Sequence, residues 1–221
     1  MILRAEVDIF DVMEENAYFY IDDATRHGFL IDPGAQANEL LSIADQNEFV
    51  IEKILLTHGH YDHIGAVNEI HRVLKVPVIM GRGGAFYAYD ATNNGSKFFG
   101  DGIILEGVTI LADECEIILD ANKNFGVKAL HAPGHTLDGM IYYSELDGVA
   151  FVGDTIFFGG HGRTDLAGGS ERDLMNTIRN KIFTLPDETV LLCGHGRATT
   201  VADEKIRPWY CNCNVELGIR N

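Results

Sequence analysis

With 221 residues, 46% of them apolar, the chain can bury one substantial core and falls in the size range of one domain. Its 17 basic against 33 acidic residues leave a formal charge of -16, a field that repels phosphate backbones and anionic lipid surfaces, so neither nucleic acid nor a membrane is an expected partner. No run approaches the roughly 20 apolar residues of a membrane helix, no basic-then-apolar leader opens the chain, and Cys115, Cys193, Cys211 and Cys213 are too few for a disulfide framework, so a cytoplasmic protein with reduced thiols is expected.

In chain order, apolar runs with strand character cover residues 2–10, 17–21 and 28–31, the last closing in Asp32-Pro33-Gly34, and predict an opening antiparallel meander. Leu40, Leu41 and Ala44 recur at helical spacing within 35–47, and 49–56 returns to strand. Residues 65–74 put Val67, Ile70, Val73 and Leu74 on one helical face, and 77–80 form another short strand. A polar loop around 93–96 precedes strand runs at 107–111, 116–119, 127–130, 140–143 and 149–152. Ser170 is the expected N-cap of a helix reaching Phe183, residues 189–193 read as a strand, and Thr200 caps a closing helix over 201–206. No Pro/Ser-rich linker interrupts the chain, so residues 1–221 are expected to form one α/β domain with two sheets inside and helices outside.

The strand at 51–56 runs directly into Thr57-His58-Gly59-His60-Tyr61-Asp62-His63-Ile64-Gly65. Neighbouring imidazoles repel when protonated and pack poorly when neutral, and a shared cation removes that penalty. Gly59 and Gly65 are expected to let the backbone turn tightly, so that 58 and 60 aim at one point and 62 and 63 at another. His135, Asp154 and His195 each follow a strand run beside glycine, where loops beyond strand ends converge on one crevice. Five histidines and two aspartates suit two borderline divalent ions with nitrogen and oxygen ligands, zinc first, with iron or manganese as alternatives.

The pattern His58-x-His60-x-Asp62-His63, then His135, Asp154 and His195, resembles the ligand set of the metallo-β-lactamase superfamily in order and spacing, across nearly the whole chain. The resemblance implies the αββα sandwich of that superfamily. It further implies that His58, His60 and His135 hold metal 1, that Asp62, His63 and His195 hold metal 2, that Asp154 bridges, and that buried Asp32 supports the metal loop. Gly153-Asp154-Thr155, Gly162-Arg163-Thr164-Asp165 and Gly194-His195-Gly196 look most like glyoxalase II-related hydrolases and persulfide dioxygenases. The chain reads Gly-Arg-Thr-Asp-Leu where glyoxalase II enzymes carry a lysine and a tyrosine, and it resembles their single-domain relatives more closely. The implied activity is hydrolysis of a small acyl thioester by hydroxide held on the metals, with Asp62 orienting it and Arg163 available to a substrate carboxylate.

The alternatives are a mononuclear iron persulfide dioxygenase, a lactonase, or an inactive metal-binding scaffold; a flavin-linked di-iron enzyme carries glutamate where this chain has His60. Outside the seven ligands the plain readings prevail. His27 and His71 read as exposed positions, Arg163 and Asp165 as a loop-fixing pair as readily as a substrate contact, and Cys211 and Cys213 as ordinary thiols. His161 is a candidate pocket residue, and Tyr18, Tyr61 and Tyr210 read as packing or as a pocket rim.

Overall fold

The computed structural model describes residues 1–10 and 13–207. The first sheet is mixed and six-stranded, in the order β1 (Ile2–Ile9), β2 (Met13–Ile21), β3 (His27–Ile31), β4 (Val50–Leu55), β5 (Val78–Met80) and β6 (Val108–Ile110). Its first three strands are the expected antiparallel meander, and the parallel strands that follow need the helical crossovers α1 (Ala37–Gln46), and α2 (Tyr61–Ile64) with α3 (Val67–Leu74). The short helix α4 (Ala85–Ala88) and a 3₁₀ turn over Ser96–Phe99 occupy the connection before β6.

The second sheet is built from β7 (Cys115–Ile118), β8 (Gly126–His131), β9 (Met140–Ser144), β10 (Val149–Gly153), β13 (Val190–Cys193) and β14 (Thr199–Thr200). Between β10 and β13 lie a small hairpin of β11 (Ile156–Phe157) and β12 (Gly160–His161), and helix α5 (Glu171–Thr177), which continues as a π-type turn to Ile182. Helix α6 (Val201–Lys205) follows β14. Ser170 and Thr200 cap α5 and α6 as expected, each hydroxyl accepting from the backbone N–H three residues on, at 3.3 and 3.1 Å.

Strand side chains alternate between faces, and here both faces of both sheets are covered. Tyr18, Tyr20, Phe29, Ile31 and Leu55 meet Met140, Tyr142 and Phe151 between the sheets. Their sequence neighbours Phe19, Ile21, Leu30 and Ile54 pack under α1 and α3 against Leu40, Val67 and Ile70. Ile141, Tyr143, Ala150 and Val152 turn the other way, onto Leu174, Met175 and Ile178. Three apolar layers separated by two sheets are the αββα sandwich. Two polar segments were harder to read: β2 starts at Met13 because residues 13–16 pair with β1 although they are not an apolar run, and the loop at 93–96 leads into the 3₁₀ turn. Among the described residues no helix is long and apolar enough to cross a membrane.

Candidate metal centre

The four segments that carry the candidate ligands leave the ends of β4, β8, β10 and β13, the first in one sheet and the other three in the second. His60 is the extended residue that opens α2, so Asp62 and His63 enter the site from its single turn. Neither Gly59 nor Gly65 takes a positive φ; both are needed for close approach instead. A Cβ on Gly59 would stand 2.5 Å from the Tyr87 Cβ, and one on Gly65 would stand 2.1 Å from the Gly34 carbonyl oxygen.

All seven predicted residues come together. His58, His60 and His135 form one triad and Asp62, His63 and His195 another, with the candidate ligand atoms of each within 4.8 Å of one another. Nδ1 of His60 lies 2.9 Å from Nε2 of His135, and Nε2 of His195 lies 3.2 Å from Oδ2 of Asp62. Asp154 reaches both triads: Oδ1 is 3.3 Å from Nε2 of His63, and Oδ2 is 3.7 Å from Nε2 of His135 and 3.6 Å from Nε2 of His195.

Four of the five histidines have one ring nitrogen held by a partner outside the two triads, the exception being His60, whose Nε2 is buried without one. Nδ1 of His58 lies 3.2 Å from Oγ1 of Thr57, that of His63 lies 3.0 Å from Asp32, that of His135 donates to the Arg163 carbonyl at 2.7 Å, and that of His195 donates to the Glu14 carbonyl at 2.6 Å. Such partners fix ring orientation and tautomer, leaving the other nitrogen's lone pair toward the centre. Asp32, buried and at φ 47, also accepts from the Thr57 N–H at 2.7 Å and hydroxyl at 2.5 Å, so it anchors the start of the histidine loop.

Burial, and then repulsion from the other imidazoles, holds His58 well below the usual histidine range and His60 down to about 3, so both rings are neutral and fit to donate a lone pair. At His63 burial also opposes the charge, but Asp154, Asp62 and Asp32 outweigh it and raise its pKa well above the usual value. Burial likewise opposes ionisation of Asp62 and Asp154, and His63 reverses it, keeping both carboxyls below the ordinary range.

The donor set fits divalent cations. Nε2 of His58, Nε2 of His63 and Oδ1 of Asp154 are buried without a hydrogen-bond partner, a costly arrangement for polar atoms unless a cation takes their lone pairs. A family model of the metallo-beta-lactamase superfamily matches residues 11–195. The chain belongs to that superfamily. It is accordingly a metal-dependent hydrolase of metallo-β-lactamase fold that acts on small molecules. Similar relatives include the probable metallo-hydrolase YqgX of Bacillus subtilis (34% identity, covering 87% of this chain and 90% of the relative) and the hydroxyacylglutathione hydrolase GloC of Haemophilus influenzae (30%, covering 92% and 95%). Among solved structures, that of TTHA1623 in a di-iron-bound form superposes with a TM-score of 0.81 at 29% identity, covering 93% of this chain and 98% of that one.

In this member of the superfamily a cleft of about 940 Å³ opens directly over His60, Asp62, His135, Asp154 and His195. Tyr61 lines it, whereas the Tyr18 hydroxyl is buried on the Cys193 carbonyl at 2.7 Å. Arg163 also lines it but is engaged with Asp165 through two hydrogen bonds of 2.7 and 2.8 Å. His161 is not in the lining, and its Nδ1 lies 2.9 Å from the Gly162 carbonyl. His27 pairs with Glu52 at 2.8 Å, and His71 donates to the Val76 carbonyl at 2.8 Å, so both are structural. Tyr210, Cys211 and Cys213 lie outside the described residues.

Sequence reasoning missed two supports from β2. Glu15 is fully buried 3.6 Å from Nδ1 of His63, and burial pushes its pKa well up. Asn16 donates through Nδ2 to the Cys193 and Gly196 carbonyls at 3.0 and 2.9 Å, bracketing His195. Only a polar pair preceding an apolar strand marks them in the sequence.

Proposed function

We propose that the chain is a binuclear metal-dependent thioesterase of the glyoxalase II-like type. His58, His60 and His135 hold one ion, Asp62, His63 and His195 hold the second, and Asp154 lies between them. The observation that carries this reading is the position of Asp154, whose two oxygens face the histidines of both triads. When bound, the ions supply Lewis acidity, which brings the ionisation of water into the neutral range and polarises a carbonyl.

The chain's own residues do the rest. Asp62 stays ionised beside His63 and His195, and with its remaining lone pairs it accepts a hydrogen bond from the attacking water and orients it toward the acyl carbon. The cleft over the two triads seats the thioester. Water's oxygen bonds to the acyl carbon, the carbon–sulfur bond breaks, and the proton passes to sulfur, giving a carboxylic acid and a thiol. Similarity to a hydroxyacylglutathione hydrolase supports a thioester as the substrate type.

The test is to express the chain with both zinc and iron in the medium, quantify bound metal, and assay a thioester panel that includes S-lactoylglutathione. Two ions per chain with thioester turnover, lost in Asp154→Ala, is the expected result. One iron per chain, with oxygen consumption on glutathione persulfide and no thioester cleavage, overturns the proposal.

A further inference from the structure

The lining of the cleft is of two kinds. One is the polar floor of the metal centre. The other is apolar and aromatic, contributed by Met13, Tyr61, Phe98, Phe99, Phe157 and Leu166. Phe98 is left 79% exposed, although large apolar side chains grouped beside a polar site are costly to leave in water and mark a surface that receives an apolar ligand.

This wall is anchored. Asn94, fully buried, donates through Nδ2 to the Tyr87 and Ile103 carbonyls, both at 2.9 Å, and accepts the Ser96 N–H at 2.9 Å, which fixes the start of the 3₁₀ turn. Its own carbonyl accepts the Tyr61 N–H at 2.9 Å, tying the turn to the helix that carries Asp62 and His63. Phe99 then stacks on Tyr61, with ring centroids 4.4 Å apart, and Phe10 stacks on the Phe99 ring at 5.6 Å. Direct hydrogen bonds and ring stacking therefore tie Phe99 and the start of the turn to the helix that carries Asp62 and His63.

Charge tells against a thiol carrier with two carboxylates, such as glutathione. Among the described residues lining the cleft the one guanidinium or ammonium group is Arg163, and Asp165 occupies it with a two-pronged pair that pulls the Asp165 carboxyl down to about 2. The remaining charged side chains there include Glu14, Asp62 and Asp154, so the cleft presents no unpaired basic side chain to a second carboxylate.

Building on the thioesterase reading, we propose that this site selects thioesters by an apolar acyl group, hexanoyl or phenylacetyl rather than acetyl or lactoyl. The acyl group lies on the Phe98, Phe99 and Leu166 wall, and the thiol carrier bears at most one carboxylate.

The test uses the metal-loaded chain and N-acetylcysteamine thioesters of acetate, butyrate, hexanoate and phenylacetate, with hexanoylglutathione as the anionic counterpart. kcat/KM is expected to rise roughly threefold per buried methylene, so at least 30-fold from acetyl to hexanoyl, with hexanoylglutathione no better than its neutral counterpart. Phe98→Ser, at an exposed position, is expected to cut the hexanoyl-to-acetyl ratio at least threefold at unchanged metal content. Asp165→Asn is expected to raise the glutathione-to-neutral ratio by releasing Arg163. A flat acyl series, or a several-fold preference for the glutathione ester, overturns the inference while leaving the thioesterase reading intact. Calorimetry with two non-hydrolysable thioethers, S-hexyl- and S-methyl-N-acetylcysteamine, separates the two claims. Tighter binding of the hexyl compound without any thioester turnover sinks the thioesterase reading alone, and equal binding sinks the apolar wall.

Discussion

The sharpest probe of the centre is one methyl group at Gly194. A Cβ built there stands 2.4 Å from Oδ1 of Asp154 and 2.6 Å from Cε1 of His63, against 3.4 Å for ordinary contact. The backbone has little room to retreat, because the Gly194 N–H donates to the Gly153 carbonyl at 2.9 Å and the Gly194 carbonyl accepts the Asn16 N–H at 2.8 Å. The displacement of about 1 Å therefore falls on Asp154 and His63, the pair where the two triads meet. Misplacement on that scale costs about 100-fold in rate, roughly 2.7 kcal/mol, and disturbed ligand support costs 10- to 100-fold in metal affinity. Gly194→Ala is thus expected to lose most of one ion on dialysis against buffered zinc and about 100-fold in kcat/KM, while overpacking lowers stability by about 1 to 3 kcal/mol. Gly160→Ala is the control, since its Cβ meets nothing within 4 Å and its φ needs no glycine. Two ions per chain and a rate within threefold of wild type in Gly194→Ala would refute the placement of Asp154 between the triads.

Stripping the metal with a chelator is expected to abolish turnover and lower Tm, with zinc restoring both, because ions that bind only the folded chain stabilise it by mass action. That zinc-dependent gain in Tm should shrink as pH falls from 8 to 6, since the carboxylates around His63 and the Asp62 hydrogen bond to His195 raise both histidines despite burial and let protons compete for them. Asp138 gives a second pH effect of known sign. Burial lifts its pKa from 3.8 to about 7, so the folded state favours the neutral acid, and stability present below pH 3.8 is lost as pH rises toward 7. Asp138→Asn should therefore stabilise the chain by roughly 2 to 3 kcal/mol more at pH 8 than at pH 5, measured by urea unfolding, and an equal effect at both pH values refutes it. Leu40→Ala, in the layer under the first sheet, should cost about 2 to 5 kcal/mol in the same assay without altering metal content.

The convergence of the seven candidate ligands was legible because their chemistry is local and costly: four of them crowd into residues 58–63, and the others each sit just past a strand. The fold was legible for a related reason. Strands covered on both faces read as continuous apolar runs, and those runs ended where the ligands began. Glu15 and Asn16 escaped notice because a polar pair in a half-polar strand segment has no distinguishing spacing, and burial arises only when β2 lies beside His63 and the loop after β13. The aromatic wall escaped for the opposite reason. Phe98 and Phe99 sit in a segment without helical or strand period, and the Asn94 hydrogen bonds and the Phe99–Tyr61 stack, which sequence spacing does not mark, bring them to the site. Gly59 and Gly65 were identified as necessary for the wrong cause, since close packing against Tyr87 and Gly34, not backbone dihedral freedom, excludes a side chain.

The position of the centre also explains how the fold tolerates it. His58 to His63 belong to the first sheet's edge of the cleft, and His135, Asp154 and His195 to the second's, so any ion that takes ligands from His58 and His135, or from His63 and His195, joins the two sheets directly. At that end the layer between the sheets carries polar groups in place of the tyrosines and phenylalanines that fill its middle. Imidazoles held neutral at His58 and His60, and carboxylates held ionised around His63, contribute little to cohesion by themselves. Divalent ions held there would convert the same residues into a cross-sheet link whose binding free energy is also folding free energy. Asp32 and Asn16 then act on stability and on chemistry together, because the hydrogen bonds that aim the candidate ligands also fasten each loop, Asp32 within the first sheet and Asn16 across to the second. Removing the metal should therefore loosen this end of the sandwich first, seen as faster amide exchange in the loops at 57–65 and 193–196 before any change under α1.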